Sequence, residues 1–375
     1  MQLRPATASA RSLPPTLALS LLLAACGAAP EATAASVQPT PAVAAAPVAA
    51  AWPEADGLFR QDLQWLGGDA AVSIALDAQR VLWLFGDSFV AQPGAAPASD
   101  RRAAAMVRNS IAVQTGRDPR SARMRFVVRD GPASFFPEHG GRWYWPQHGI
   151  VLDGALTIFL YALVHDPDSA LGFRYDGWTA LRVDDPAGDP AGWQLRTLEV
   201  SDTSPIAMVG TSVHADAEHV YAYGVREPGD HAVFLLRWRR SAFLAGSLGD
   251  PRVWGGASRG WIRGPPQPVL PTGQTEFSII ERPSGGHVLA EALGFGASTV
   301  ALRFGGAPQG PFGEPVEVHR PSEYEREQIL IYGVRAHPEQ AGGDLVLTYN
   351  VNNLDADRLL DDLSIYFPRF VRVDL

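Results

Sequence analysis

The sequence predicts an all-β fold and, more specifically, a five-bladed β-propeller. After Pro53, short runs of β-branched, aromatic and aliphatic residues are separated by Gly, Pro, Asp and Asn, which is typical of strands joined by turns. The 37 glycines and 31 prolines among 375 residues suit many such turns, and the 10 tryptophans, 9 tyrosines and 16 phenylalanines require a core. No convincing amphipathic helix appears in the same region.

Residues 1–25 have the order of a bacterial secretory signal. Arg4 and Arg11 form a positive start, and a short apolar run ends at Ala25. The small residues before Cys26 resemble the lipobox of bacterial lipoproteins, in which the cysteine receives the lipid and becomes the new N-terminus. The alternative is an incidental cysteine in a signal peptide that is cleaved elsewhere. We expect a lipid anchor on Cys26, and therefore a protein of the cell envelope, attached to a membrane outside the cytoplasm.

Residues 26–51 are expected to form an extended tether between this anchor and the folded domain. They are mostly Ala, Pro, Thr and Val, and they lack aromatic residues and periodicity. Four prolines disfavour the alternative, a helix through the alanine runs. The folded domain is predicted to comprise residues 52–375.

Five matched pairs of apolar runs follow, and each pair is joined by a short segment of turn-forming residues. The pairs are 70–76 with 81–87, 149–152 with 156–160, 210–213 with 220–224, 277–280 with 288–290, and 333–337 with 345–349.

The recurrence of these hairpins favours a propeller of five blades. Each blade is a small sheet that cannot bury both of its faces alone, so the blades must pack against one another. In each pair, the first strand is expected to lie nearer the axis and the second to pack outside it. A continuous β-sandwich is the alternative.

Composition excludes several classes of function. The formal net charge is −9, the chain has no lysine, and its 31 basic residues occur at most in pairs such as Arg239-Arg240. Nucleic-acid binding is not expected, because a phosphate backbone requires a coherent basic stripe. A single cysteine excludes a disulfide framework and any multi-thiolate metal site. No close histidine spacing supports a metal site either, and we expect neither metal nor cofactor.

An ordered series of motifs resembles a bacterial family of secreted five-bladed propellers whose function was long unknown. The motifs that carry the likeness are Gly67–Ser73, Trp83–Phe89, Arg108–Ala112, Trp145–Gly149, Gly273–Ser278, Gly294–Thr299, Ala336–Glu339, Tyr349–Asn352 and Tyr366–Phe370.

Relatives of similar pattern are glycoside hydrolases, including endo-acting arabinanases of mycobacterial cell-wall arabinan. The resemblance therefore implies a carbohydrate substrate and catalytic carboxylates. One departure concerns His148, which stands where relatives often carry an acidic residue after the Trp-Pro pair. A third acid in that part of the chain is therefore in doubt.

Asp69 and Asp87 are the main catalytic candidates. Asp69 lies at the start of the first inner strand, and Asp87 follows the apolar run Val81–Phe85, an unusual place for a solvated charge. In a hairpin, the start of one strand lies beside the end of its partner, so both carboxylates would reach one cavity. Glycoside cleavage uses one carboxylic acid to protonate the leaving oxygen and a second carboxylate as base or nucleophile. The structural alternative is that each Asp caps a turn.

Glu276 is the third catalytic candidate. It precedes the fourth inner strand and lies next to Phe277, and burial beside aromatic residues would raise its pKa, as a general acid requires. An ion pair with one of the arginines is the alternative.

Eight further residues are candidates for contacts with the sugar. Arginine and amide side chains could hydrogen-bond hydroxyl groups, aromatic side chains could stack on a ring, and each residue could equally serve packing between blades. These candidates are Arg108, Asn109, Trp145, His148, His337, Tyr349, Asn350 and Arg369.

The sequence thus predicts a lipid-anchored glycoside hydrolase that acts on a polysaccharide, with an arabinan-like glycan as one candidate. The alternative from another class is a non-catalytic glycan-binding or surface-structural lipoprotein that uses the same site.

Overall fold

The computed structural model describes residues 47–92, 100–127, 132–169 and 171–375. Within these ranges the chain forms 25 strands and three short α-helices, so the predicted all-β class is confirmed. The helices are α1 (Pro53–Asp56), α2 (Arg240–Leu244) and α3 (Ala356–Asp361).

The strands follow one another through the described residues with short connections. In chain order they are β1 (Val48–Ala51), β2 (Trp65–Gly68), β3 (Val72–Ala75), β4 (Arg80–Phe85), β5 (Ser88–Val90), β6 (Ala105–Val107), β7 (Ser110–Thr115), β8 (Arg123–Val127), β9 (Arg142–Leu152), β10 (Ala155–His165), β11 (Phe173–Val183), β12 (Arg196–Val200), β13 (Met208–Ala215), β14 (His219–Val225), β15 (Val233–Arg239), β16 (Ser247–Leu248), β17 (Arg252–Trp254), β18 (Trp261–Ile262), β19 (Phe277–Glu281), β20 (His287–Leu293), β21 (Thr299–Gly305), β22 (Val316–His319), β23 (Ile329–Ala336), β24 (Leu345–Asn353) and β25 (Arg369–Asp374).

Five sheets contain most of these strands. We number them sheet 1 (β3-β4-β7-β8), sheet 2 (β9-β10-β11-β12-β16), sheet 3 (β13-β14-β15-β17-β18), sheet 4 (β19-β20-β21-β22) and sheet 5 (β23-β24-β25-β1). All neighbours are antiparallel except β12 and β16. A small three-stranded sheet, β2-β5-β6, accompanies sheet 1 in the chain. The five predicted hairpins are the first two strands of the five large sheets, so that prediction is confirmed.

The second strand of each sheet is buried almost throughout, as expected for a strand covered on both faces. In β10, for example, the nine residues from Ala155 to Leu163 are all buried, which explains the continuous apolar run in the sequence.

Buried clusters join neighbouring sheets. Sheets 1 and 2 share one cluster, sheets 2 and 3 a second, sheets 3 and 4 a third and sheets 4 and 5 a fourth. A fifth cluster joins sheet 5 to sheet 1, where Phe370 packs edge-on against Trp83 with ring centroids 6.0 Å apart. Each sheet therefore covers the apolar face of the next, and the last sheet packs against the first.

The predicted extent of the tether is wrong for its last residues. Val48–Ala51 form strand β1, which pairs with β25 from Val48 opposite Asp374 to Ala51 opposite Val371. The pairing satisfies backbone groups of β25 that would otherwise lie on an open edge. The pairing of β1 with β25 does not require an alternating apolar pattern, since the side chain of Val48 is 66% exposed. The Ala/Val tract therefore carries no strand signal in the sequence.

The predicted signal peptide and Cys26 lie outside the described residues, as does the tether before residue 47. Among the helices in the described part of the chain, none has the length and apolar character needed to cross a membrane.

The first strands of the five sheets position the candidate site. Strand β9 contacts β3 and β13, while β19 contacts β13 and β23. Sheet 1 also reaches sheet 5 directly, because Ser73 Oγ lies 2.6 Å from Nδ1 of His337, just after β23. Residues at the starts of these strands therefore converge on one region.

Candidate active site

A cavity of about 380 Å³ lies where these strands begin, and its lining comes from residues within or directly beside the strands of all five large sheets. Its carboxylates are Asp69, Asp87 and Glu276. Its aromatic lining consists of Trp145, Tyr161, Phe173, Tyr175, Phe295, Tyr332 and Tyr366. Its size is within the range of small-molecule sites, and the combination of apolar walls with a few converging polar groups is typical of them.

The turn before β3 directs Asp69 into the cavity. Ala70 and Ala71 have φ angles of 68° and 49°, a left-handed conformation that side chains rarely adopt. Backbone hydrogen bonds hold this turn, because the amides of Ala71 and Gly86 both donate to the carbonyl of Asp69, at 2.9 and 3.1 Å. Asp69 thus lies three residues before the first residue of β3, Val72.

Two phenols bind the Asp69 carboxyl. The hydroxyl of Tyr332 donates to Oδ2 at 2.6 Å. The hydroxyl of Tyr366 lies 3.4 Å from the same oxygen and donates to the backbone carbonyl of Asp87 at 3.0 Å. The other oxygen, Oδ1, lies against Gly86, where an added Cβ atom would approach it to 2.4 Å. Only glycine at position 86 leaves space for this orientation of Asp69.

The pKa of Asp69 is raised from 3.8 to about 8. Burial is the main cause, and the negative charges of Asp87 and Glu276 add to it, while the hydrogen bonds from Tyr332 and Tyr366 act in the opposite direction. Asp69 is therefore protonated at neutral pH. Because Oδ2 accepts the Tyr332 proton at 2.6 Å, the carboxyl proton belongs on Oδ1.

Asp87 lies in the turn between β4 and β5, close to Asp69. Trp145 Nε1 donates to its Oδ1 at 3.0 Å, and Arg108 Nη1 donates to its Oδ2 at 3.4 Å. Burial raises the pKa of Asp87, and these two partners oppose the increase. The Arg108 guanidinium also lies over the ring of Trp143, 4.6 Å from the centroid. Arg108 and Trp145 thus serve the site by holding a carboxylate.

Glu276 immediately precedes β19, and its charge is offset by a buried arginine. Arg335 Nη2 donates to Glu276 Oε1 at 2.8 Å and to Gln147 Oε1 at 2.9 Å. The alternative predicted for Glu276, an ion pair with an arginine, is present. The same carboxylate also lines the cavity. Gly333 leaves space for this carboxylate, since an added Cβ atom would lie 2.8 Å from Oε2.

Arg335 connects four sheets beneath the cavity. Its side chain is 2% exposed, and its Nη1 donates to the carbonyls of Thr211 and Phe277 at 2.9 Å each. Sequence reasoning missed Arg335, although a charge inside the apolar run 333–337 was a visible signal. It also missed Tyr332, which lies in none of the family motifs, and Tyr366 and Gln147, although these two stand in the motifs Tyr366–Phe370 and Trp145–Gly149.

Of the eight predicted sugar-contacting residues, only Trp145 lines the cavity, and the side chains of five of the other seven are occupied elsewhere. Asn109 is fully buried, and its amide bonds the backbone of Phe136 and Tyr144. Nδ1 of His148 accepts from the Val213 amide, and burial lowers its pKa to about 4. Both ring nitrogens of the fully buried His337 are bonded, Nδ1 to Ser73 and Nε2 to Thr348.

Tyr349 and Arg369 complete this set. The hydroxyl of Tyr349 donates to Glu323 Oε2 at 3.3 Å, and Nε of Arg369 donates to Oε1 of the same glutamate at 3.1 Å. The residues in these five positions tie strands and loops together, so their assignment to sugar binding is corrected to a structural role.

Asn350 also lies outside the lining, but close behind it. The side chain is 2% exposed, and its Nδ2 occupies the space beside Gly333, 2.4 Å from where a Cβ atom would be. Asn352, two residues on, does line the cavity, and its amide reaches the hydroxyl of Tyr332 at 3.5 Å.

A larger cleft of about 640 Å³ beside α3 has a different character. Its acidic residues are exposed and paired with arginines, as in Arg358–Glu327 and Arg326–Asp362. Among the described residues, no group of three or more His, Cys, Asp or Glu side chains is arranged to hold a metal ion.

The fold and site define an all-β protein with a carboxylate-lined cavity at the starts of the first strands of its five large sheets. The chain belongs to the family described as "Domain of unknown function (DUF5005)", whose model matches residues 54–374. No curated protein sequence matches it.

Several solved structures resemble the chain. A candidate hydrolase from Bacteroides ovatus is 18% identical with a TM-score of 0.66, over 87% of this chain and 90% of that one. The α-L-arabinofuranosidase PaAbf62A from Podospora anserina, solved with cellotriose, is 10% identical with a TM-score of 0.46, over 83% and 92% of the two chains. A thermostable family-43 glycoside hydrolase is 13% identical with a TM-score of 0.42, over 82% and 89%. At 18% identity, the likeness to the Bacteroides ovatus structure shows a shared fold.

Proposed function

We propose that this protein is a glycoside hydrolase whose five sheets are the blades of a five-bladed β-propeller. Two features support the blade arrangement. Each sheet shares a buried cluster with the next, and the last shares one with the first. Sheet 5 combines the first described strand with the last three, which is a common way to close a ring of blades.

One observation carries the proposed activity: three carboxyl groups line one cavity, and two of them have an arginine partner while the third is bound by phenols. Asp69 holds a proton at neutral pH, with a pKa of about 8, whereas Asp87 and Glu276 each face an arginine. Glycoside cleavage requires an acid and a base or nucleophile in the same site at the same pH.

Under this proposal, each carboxyl group has its own role. Asp69 donates its Oδ1 proton to the glycosidic oxygen as the bond from that oxygen to the anomeric carbon breaks. Asp87 acts on the anomeric carbon, either by taking a proton from the attacking water or by direct attack. Glu276 supplies a second carboxylate charge beside that of Asp87, and this charge stabilises the oxocarbenium-like transition state. Trp145 holds Asp87, and Tyr332 holds Asp69.

The test is a screen of the purified domain, residues 47–375, against arabinans, galactans and peptidoglycan fragments, with new reducing ends as the readout. We expect one class of glycan to be cleaved by the wild type and not by Asp69→Asn. Asp357→Asn serves as the matched control, because Asp357 is exposed and paired with Arg102 outside the cavity. Binding of a glycan without cleavage would contradict hydrolysis and support the non-catalytic glycan-binding alternative.

We also propose that the domain is held at a membrane, outside the cytoplasm, by a lipid on Cys26. The supporting observation is the order of positive start, apolar run and small residues before the cysteine. The first described strand begins at Val48, so residues 27–47 remain as the connection between lipid and domain.

A further inference from the structure

The rim of the cavity carries the most exposed apolar side chains of the described chain. Eight large hydrophobic residues are exposed in the part of the chain that the structure describes, and the two highest exposed fractions belong to Phe295 at 87% and Leu171 at 74%. Both line the carboxylate cavity. Single exposed apolar residues are ordinary on a surface, but the two most exposed ones at the mouth of one cavity indicate a contact surface.

The backbone holds Phe295 outward. It stands between Gly294 and Gly296, whose φ angles of +103° and +83° are rarely adopted by residues with side chains. The loop is fixed at its base, because the amide of Ile331 donates to the carbonyl of Gly296 at 2.8 Å. Ile331 precedes Tyr332, the partner of Asp69, so the loop is tied to the strand that carries part of the site.

We infer that Phe295 is a stacking platform for a sugar unit outside the carboxylate centre, and that the substrate is therefore a glycan chain. A sugar ring has apolar C–H faces and a polar edge. Its face can stack on an aromatic side chain at the rim, while its hydroxyl groups bond the polar groups inside the cavity. A protein partner suits the surface less well, since specific protein interfaces bury about 800 Å² on each side. The inference rests on the proposed function and specifies its substrate class.

Binding to linear α-1,5-arabino-oligosaccharides of two and six units tests the inference. Calorimetric titration in the Asp69→Asn background avoids turnover. We expect Phe295→Ala to weaken binding of the hexamer about tenfold, because an apolar contact with one ring face is lost, and to leave binding of the dimer unchanged. Phe295→Trp should retain the affinity for the hexamer. Leu63→Ala, at a residue 60% exposed and outside the cavity lining, is the control and should change neither.

Gly296→Ala provides a second variant that keeps the aromatic ring. A Cβ atom there meets no close contact, but the φ of +83° becomes strained, so the loop should shift and the hexamer should bind more weakly. If Phe295→Ala leaves both affinities unchanged or weakens both equally, the platform is wrong. If neither oligosaccharide binds, the inference fails for arabinan chains. The proposed function fails separately, if Asp69→Asn cleaves the glycan found in the screen as fast as the wild type does.

Discussion

Asp69 illustrates how its surroundings change the chemistry of one carboxyl group. Burial and the charges of Asp87 and Glu276 favour the protonated form, whereas the phenols of Tyr332 and Tyr366 favour the charged one. The first influence is larger, so the group is an acid at neutral pH. The hydroxyl of Tyr332 bonds Oδ2, which leaves Oδ1 to carry the proton. The same surroundings should also make the free energy of unfolding depend on pH.

We expect Asp69→Asn to lose activity and to gain stability at alkaline pH. Loss of a general acid typically lowers turnover by about 10²–10⁴-fold. In the wild type, the carboxyl is protonated when folded and ionised when unfolded between pH 3.8 and about 8, so the free energy of unfolding falls as pH rises through this window. The slope can reach about 1.4 kcal/mol per pH unit, and asparagine removes it.

Denaturant unfolding at pH 5 and pH 8 measures this effect. The stability difference between Asp69→Asn and the wild type should be larger at pH 8, and Asp357→Asn should show no such change. An Asp69 that merely caps its turn would give the opposite result, with lowered stability at both pH values and turnover near normal.

Tyr332→Phe tests the assignment of the proton donor. Removing the hydroxyl deletes the 2.6 Å hydrogen bond that favours the charged form of Asp69, so the pKa of Asp69 should rise further. The alkaline limb of the pH–rate profile should then move upward by about one pH unit. Tyr349→Phe is the matched control, because this buried hydroxyl bonds Glu323 outside the cavity. An unchanged alkaline limb in Tyr332→Phe would show that Asp69 is not the acid.

At the scale of elements, Arg335 joins strand β23 to three other first strands. It bonds Gln147 in β9, the carbonyl of Thr211 in β13, and both Glu276 and the carbonyl of Phe277 at the start of β19. A single buried side chain thus fixes the relative positions of four strands at the base of the cavity. Its removal would leave Glu276 without its positive partner.

We expect Arg335→Met to destabilise the protein by about 3–5 kcal/mol, the usual cost of breaking a buried ion pair from one side. Thermal or denaturant unfolding measures the loss. Arg358→Gln is the control, because its ion pair with Glu327 is exposed and should contribute only about 0–1 kcal/mol. A loss of equal size in both variants would contradict the role of Arg335 in joining the strands.

The hairpins could be predicted from the sequence because paired apolar runs and the turns between them are local signals. Asp69, Asp87 and Glu276 could be found for the same reason, since Asp69 and Glu276 directly precede such a run and Asp87 lies at the end of one. Tyr332 and Tyr366 could not, because their importance depends on a strand and a loop that meet Asp69 only in the folded chain, 263 and 297 residues away. The motifs that contain His337 and Tyr349 suggest sugar binding. A motif indicates that a residue is important, but it does not indicate whether the side chain faces a ligand or a neighbouring strand.

At the scale of the whole molecule, β1 joins the start of the folded chain to its end. Sheet 5 takes β1 from residues 48–51 and its other three strands from residues 329–374. Trp52 extends the junction, because its amide donates to the carbonyl of Phe370 at 2.9 Å and its ring packs edge-on against that phenylalanine. The start of the domain is thereby fixed, and any connection from Cys26 must reach this point.

The expected location of the protein in the cell depends on Cys26. Residues 27–47 can span at most about 70 Å, enough to keep the domain near a bilayer while allowing it to reach glycans around it. If Cys26 carries the lipid, the wild type should sediment with membranes and be released by detergent, whereas Cys26→Ser should move to the soluble fraction. Asp69→Asn is the control, since it alters the cavity and should sediment like the wild type. Identical soluble distributions of the wild type and Cys26→Ser would refute the anchor, and would leave the proposed hydrolase activity to be judged on the cavity alone.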